Sequence, residues 1–185
     1  MPVKENEHNV FFYGGDAIFS QFYPCSFIEN RQSFTCAEQY MHYKKAELFG
    51  DSQSGQLILA SHSPVQHKRL GRRVRSFKDS VWSNYARNIV KTGTMLKFQQ
   101  NYALKQRLLD TRPKQLVETS PYDRTWGIGL AIEDPNIHDP SQWRGSNILG
   151  QILVEVREEL YDEKNQYKSG PSRPVDKDTN VWGPH

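Results

Sequence analysis

A lysine set inside an apolar helical stripe is the first arrangement in this chain that could do chemistry. Successive helical residues turn by about 100°. Over residues 37–49 this puts Ala37, Tyr40, Met41, Lys44 and Leu48 on one face, with His42 and Lys45 pointing away. On that reading Lys44 is partly desolvated. Desolvation lowers a lysine's pKa and frees the neutral amine for imine formation with an aldehyde, or for acid–base work. The plain alternative is a stem lying on the stripe with its ammonium snorkelling to water. Glu38 borders the same stripe, one turn before Met41, where it either meets an incoming hydroxyl or solvates the helix start.

The second arrangement is Glu118-Thr119-Ser120-Pro121-Tyr122-Asp123-Arg124-Thr125-Trp126-Gly127-Ile128-Gly129. Two carboxylates five positions apart across a proline turn can converge on one concave spot. Paired carboxylates are the usual equipment for cleaving a glycosidic bond, one protonating the leaving group and one handling water or the cationic sugar. The glycines permit close approach of a ligand, and Trp126 offers a ring for stacking. A turn-capping Asp123 and a strand-edge Glu118 would read the same.

The third is Trp143-Arg144-Gly145-Ser146-Asn147-Ile148-Leu149-Gly150. A loop, a glycine and a capping Asn before a helix can aim free backbone N–H groups at an anion, and they equally describe an ordinary capped helix. Basic residues crowd between His67 and Lys78, including Lys68, Arg69, Arg72, Arg73 and Arg75. They suit phosphates or a solvated helix face. The six histidines show no metal-ligand spacing with Cys or acidic partners, so no metal is expected. Cys25 and Cys36 fit a reducing compartment as small hydrophobes.

The elements that must hold these residues read as mainly helical. Helices are expected over 37–49, 64–72, around Val81–Val90 and over 95–110. Gly93-Thr94 breaks the third from the fourth, and Thr94 is the N-cap of the fourth. A final helix carries the stripe Ile148, Leu149, Ile152, Leu153, Val156 and Leu160 behind a capping Asn147. Short strands are expected at 10–13, 116–119 and 126–132, with 33–35 a short strand or a cap. The fold class is α+β, mainly α. No Gly-x-Gly-x-x-Gly follows a strand, so a dinucleotide-binding sheet is excluded.

The chain has 185 residues, enough for one domain, expected over 9–161 with a flexible tail at 162–185 and a loose first eight residues. Hydrophobic residues are 36% and mean hydropathy is −0.77, but aromatics reach 12% and can build a core around large rings. Disorder throughout is excluded. No apolar run approaches membrane-spanning length, and the N-terminus lacks a signal core. The net charge of +3 is small for a chain that coats nucleic acid.

Four separated motifs, Phe19-Ser20-Gln21-Phe22-Tyr23-Pro24, Ala37-Glu38-Gln39-Tyr40-Met41 with Lys44, Glu118…Asp123-x-x-Trp126-Gly127-x-Gly129 and Trp143-x-Gly145-x-Asn147-x-Leu149-Gly150, occur in this order. Over about residues 11–157 the chain resembles the NADAR family, the YbiA-like N-glycosidases. Gln21 stands where that family usually has Asn, and Ser146 where it often has Lys. The resemblance implies a YbiA-like fold and hydrolysis of an N-glycosidic bond to ribose. Its substrate is then ADP-ribose on guanine of DNA or RNA, favoured here by the basic run. The alternatives are a phosphorylated riboflavin-pathway intermediate and a non-catalytic ADP-ribose-binding module. It further implies Lys44, Glu38, Glu118 and Asp123 around C1 of the ribose, with Lys44 as imine-forming amine or water as direct attacker. Trp82 and Trp126 would stack, Arg72 would hold phosphate, and Phe19, Gly127, Gly145 and Asn147 would complete the binding set. No cofactor, a monomeric state and a cytoplasmic or nuclear location are expected.

Overall fold

The structure, a computed structural model, describes residues 2–168. In chain order it has β1 (Val3–Glu5), β2 (Asn9–Phe12), β3 (Phe27–Glu29), β4 (Gln32–Phe34), α1 (Ala37–Leu48), α2 (Ser52–Ala60), α3 (Pro64–Gly71), α4 (Asp79–Gln100), α5 (Tyr102–Leu109), β5 (Gln115–Glu118) and α6 (Ile148–Lys168). The fold is α+β and mainly helical. No helix among the described residues is long and apolar enough to cross a membrane.

Val10, Phe11 and Phe12 are all wholly buried, an unbroken apolar run that belongs in the middle of a covered sheet. β2 is that middle strand, antiparallel to β1 and parallel to β5. Side chains alternate across a strand, so its two faces serve two cores. Val10 and Phe12 join Phe98, Leu116, Ile152 and Leu153, whereas Phe11 joins Val117, Ile128 and Leu130. The parallel register pairs Phe12 with Glu118, which carries that acid to the end of the sheet. β3 and β4 form a hairpin whose turn residues, Asn30 and Arg31, both have positive φ, the backbone that matches strand twist.

α1 packs against α2, α3 and α4. Its N-cap is Cys36, whose Sγ accepts from the Gln39 N–H at 3.4 Å. On one side Tyr40 meets Phe27 and Phe34 of the hairpin at ring distances of 5.9 and 5.1 Å. A helix enclosed by three others buries more than one stripe.

Several expectations are corrected. Gly93 and Thr94 do not break a helix but lie buried inside α4, because Gly93 lets the Tyr40 ring approach; a Cβ there would sit 2.5 Å from Tyr40 Cδ1. Residues 126–132 are not a strand but an irregular loop, its backbone taken up by bonds such as Ile128 N–H to Glu118 O at 2.9 Å and Gly129 N–H to Asp123 O at 3.1 Å. Part of the N-terminus is β1, ordered by pairing with β2. α6 continues past Tyr161 to Lys168, where Lys164 Nζ reaches Gln106 Oε1 at 3.2 Å. The rest of the expected tail lies outside the described residues. α2, where no helix was expected, is started by Asp51, whose carboxylate accepts from Ser54 N–H at 3.2 Å and also binds Arg75 at 2.8 Å.

Candidate active site

β5 ends on Glu118, and the chain then turns through Ser120-Pro121 to Asp123. Asp123 Oδ1 accepts from Thr125 N–H at 2.9 Å and Trp126 N–H at 2.8 Å, which closes the turn. Gly127 packs on the Glu118 carbonyl, where a Cβ would come within 2.8 Å. Glu118 is thus held from both sides. Its Oε2 is buried without a hydrogen-bond partner. Burial, then the charges of Asp123 and Glu38, push its pKa up to about 8, with Lys68 pulling the other way. At neutral pH Glu118 is a protonated acid, able to donate.

The facing wall is α1. Residues seven apart on a helix return to nearly the same direction, so Glu38, His42 and Lys45 form one polar face. All three are buried, at 5%, 6% and 9% exposure. His42 Nε2 donates to Glu38 Oε1 at 3.0 Å. The Lys45 ammonium lies 4.1 Å from the Phe77 ring centroid and 5.3 Å from that of Trp82. Burial and, after it, the charge of Arg72 lower its pKa, with Asp79 opposing.

The third wall is the loop before the hairpin. Glu38 N–H donates to Gln21 O at 2.9 Å, and Phe22 N–H to Ser20 Oγ at 3.1 Å. Underneath, Lys97 is 1% exposed and donates Nζ to Ser20 O at 2.8 Å, its pKa pushed down to about 8 by burial. Lys68 lies 6.0 Å from the Phe22 ring centroid. Glu118 thus faces Asp123, Glu38 and Lys68, and Lys45, two turns along α1 from Glu38, lies among Phe77, Trp82 and Arg72.

Of the residues expected at the site, Glu38, Glu118 and Asp123 come together, Trp82 and Arg72 lie beside Lys45, and Trp126 packs against the core that holds Phe12 and Leu153. Lys44 does not join them. Its Nζ is paired with Glu29 at 2.7 Å and Glu47 at 3.0 Å on the hairpin side of α1. Burial acts to lower the Lys44 pKa, but the hydrogen bonds to Glu29 and Glu47 prevail and raise it. It is a held cation, and the desolvated amine is Lys45. Phe19 is a core residue at 5% exposure, packed on Phe12 at 5.6 Å.

Asn147 does not face a ligand either. Its Oδ1 accepts from Glu118 N–H and its Nδ2 donates to Leu116 O, each at 3.0 Å, so it stitches the start of α6 to β5. Nor is there an anion site at that helix start. The N–H groups of Ser146, Asn147, Ile148 and Leu149 donate to the carbonyls of Arg124, Gly127, Thr125 and Trp126. Gly145 exists for that same contact, since a Cβ would lie 2.3 Å from Gly127 O. His42, Lys45 and Lys68 are additions that the apolar-stripe reading missed, although the spacing of Lys45 from Glu38 marks it. Among the described residues no group of three or more His, Cys, Asp or Glu could hold a metal ion.

The NADAR domain matches residues 11–161. The chain belongs to the NADAR family. A NADAR relative, "N-glycosidase R617" of Acanthamoeba polyphaga mimivirus, is 42% identical over 166 residues, covering 84% of this chain and 98% of that protein. "Riboflavin biosynthesis protein VVA0006" of Vibrio vulnificus is 31% identical over 165 residues, covering 86% of this chain and 41% of that protein. The NMR structure of Escherichia coli YbiA superimposes with a TM-score of 0.71 at 27% identity, covering 90% of this chain and 92% of that one. The NADAR match spans every residue of the three walls.

Proposed function

We propose that this protein is an N-glycosidase that releases ADP-ribose from guanine bases of nucleic acid through an imine on Lys45. The observation that carries the mechanism is a desolvated lysine on the same helical face as Glu38, opposite a carboxylic acid held protonated. An N-ribosyl amine can open its furanose ring when the ring oxygen is protonated and the nitrogen lone pair pushes in. Glu118 supplies that proton. The neutral Lys45 amine adds to C1, its extra proton passes to a carboxylate such as Glu38, and the C1–N bond to the base breaks as the departing amine takes a proton. Water then hydrolyses the Lys45 imine, the lysine is regenerated and the sugar ring recloses. Asp123 keeps negative charge near the cationic sugar carbon.

The substrate class is supported by the exposed basic residues of α3 and the segment that follows it. Arg69, Arg72, Arg73 and Lys78 are exposed, and none is paired with a carboxylate among the described residues. Together with the half-exposed Phe77 ring they favour a diphosphate carried on a polynucleotide. A second reading, a phosphorylated riboflavin-pathway intermediate, is supported by the name of the Vibrio relative. It would use the same amine and acids, because that leaving group is also an amine on ribose.

The deciding experiment incubates the protein with an ADP-ribosylated guanine oligonucleotide and, separately, with the riboflavin intermediate. Free ADP-ribose from the first is the expected outcome. Ribose 5-phosphate from the second alone selects the other reading, and binding of ADP-ribose with no turnover of either points to a reader module.

A further inference from the structure

We propose that His42 is a positioning residue of this site: its Nε2–H fixes the Glu38 carboxylate in the orientation its chemistry needs. The inference rests on the N-glycosidase reading for its kinetic consequence. Glu38, Glu118 and Asp123 share one site, and unshielded carboxylates at close range repel. Glu38 has one side-chain partner, His42, at 3.0 Å, with side chains only 8% and 7% exposed. A carboxylate can only accept, so Nε2 donates, and the open ring atom is Nδ1. Nδ1 is buried and has no partner.

The neighbouring helix is shaped to this ring. Gly71, the last residue of α3, packs on His42, and a Cβ there would fall 1.9 Å from Nδ1. Any side chain at position 71 would push the imidazole off Glu38. A ring so placed holds the Glu38 carboxylate oriented.

The test uses His42→Leu, His42→Gln and Glu38→Gln in the full chain, with the wild-type protein first shown to turn over an N-ribosyl amine. His42→Leu should lower kcat by about 10- to 100-fold with little change in KM, because misplacing a catalytic group costs rate rather than binding. His42→Gln keeps an N–H donor within reach of Glu38 and should recover most of that loss. In parallel, the NMR signal of His42 Nε2 should move in Glu38→Gln, where the carboxylate it donates to is gone. Wild-type kcat in His42→Leu overturns the inference. So does an unchanged His42 Nε2 signal in Glu38→Gln, which decides the matter if His42→Leu fails to fold. A wild-type protein inert on every N-ribosyl amine is instead a failure of the N-glycosidase reading.

Discussion

Two adjacent lysines differ in chemistry because their surroundings differ. Lys44 has two carboxylates within 3.0 Å, which stabilise its charge, whereas Lys45 is buried beside Arg72, and burial and that charge outweigh Asp79. Lys45→Ala should therefore abolish turnover while Lys44→Ala stays close to wild type. Borohydride added during turnover should leave a mass adduct on Lys45 and none on Lys44. Glu118 makes a prediction with a sign. Its folded-state pKa of about 8 stands above the ordinary 4.5, so its contribution to stability is full below pH 4.5 and is lost as pH rises to about 8. Glu118→Gln mimics the protonated form. Its melting temperature should exceed wild type by a margin that opens from pH 4.5, at up to about 1.4 kcal/mol per pH unit, and stays level above about pH 8. Turnover in Glu118→Gln should fall by about 10²–10⁴ through loss of the proton donor. A margin that does not grow with pH would show that Glu118 is ionised in the fold.

At the scale of elements, the position of α1 is set by how near α4 can come. Gly93 allows the Tyr40 ring to lie where a side chain would otherwise be. Helix propensity alone says that Gly93→Ala should stabilise α4 by about 0.5–1 kcal/mol. The contact says the opposite, because a Cβ 2.5 Å from Tyr40 Cδ1 forces the helices apart or the ring out of its cluster with Phe27 and Phe34. Overpacking of that kind costs about 1–3 kcal/mol. Gly93→Ala should lower the melting temperature by about 3–10 °C and reduce turnover, since α1 carries Glu38, His42 and Lys45. A rise in melting temperature would show that propensity wins. The same logic explains Asn147, whose two bonds to β5 tie the last helix to the strand that presents Glu118.

For the whole molecule, every group of the candidate site lies within residues 20–127, whereas the chain runs to 185. The sheet, α1, α3 and α4 assemble the walls, and α6 supports them through Leu149, Ile152, Leu153 and Val156. Deleting residues 162–185 removes none of these. Turnover should remain close to wild type and the melting temperature should fall by less than about 5 °C. A larger loss would mean that the end of α6, with its Lys164–Gln106 contact, bears more of the fold than its exposed surface implies.

The sequence alone determined the elements whose signals are local and strong. α1, α3 and α6 announce themselves by periodicity, β2 by an unbroken apolar run and β5 by a short one before a proline turn. Glu118 and Asp123 were legible as a candidate pair because a proline turn between them can bring its ends close. Tertiary structure decided what depends on neighbours. Lys44 sits on the apolar stripe of its helix, yet the hairpin brings Glu29 to meet it. Lys45 looks solvent-facing until α3 and α4 close over it. Gly93 reads as a break until Tyr40 arrives, and Asn147 reads as a cap until β5 takes both ends of its amide. A helical wheel assumes one buried face and one wet one. α1 is enclosed by three helices and buries a polar face as well, and that face carries the chemistry proposed here.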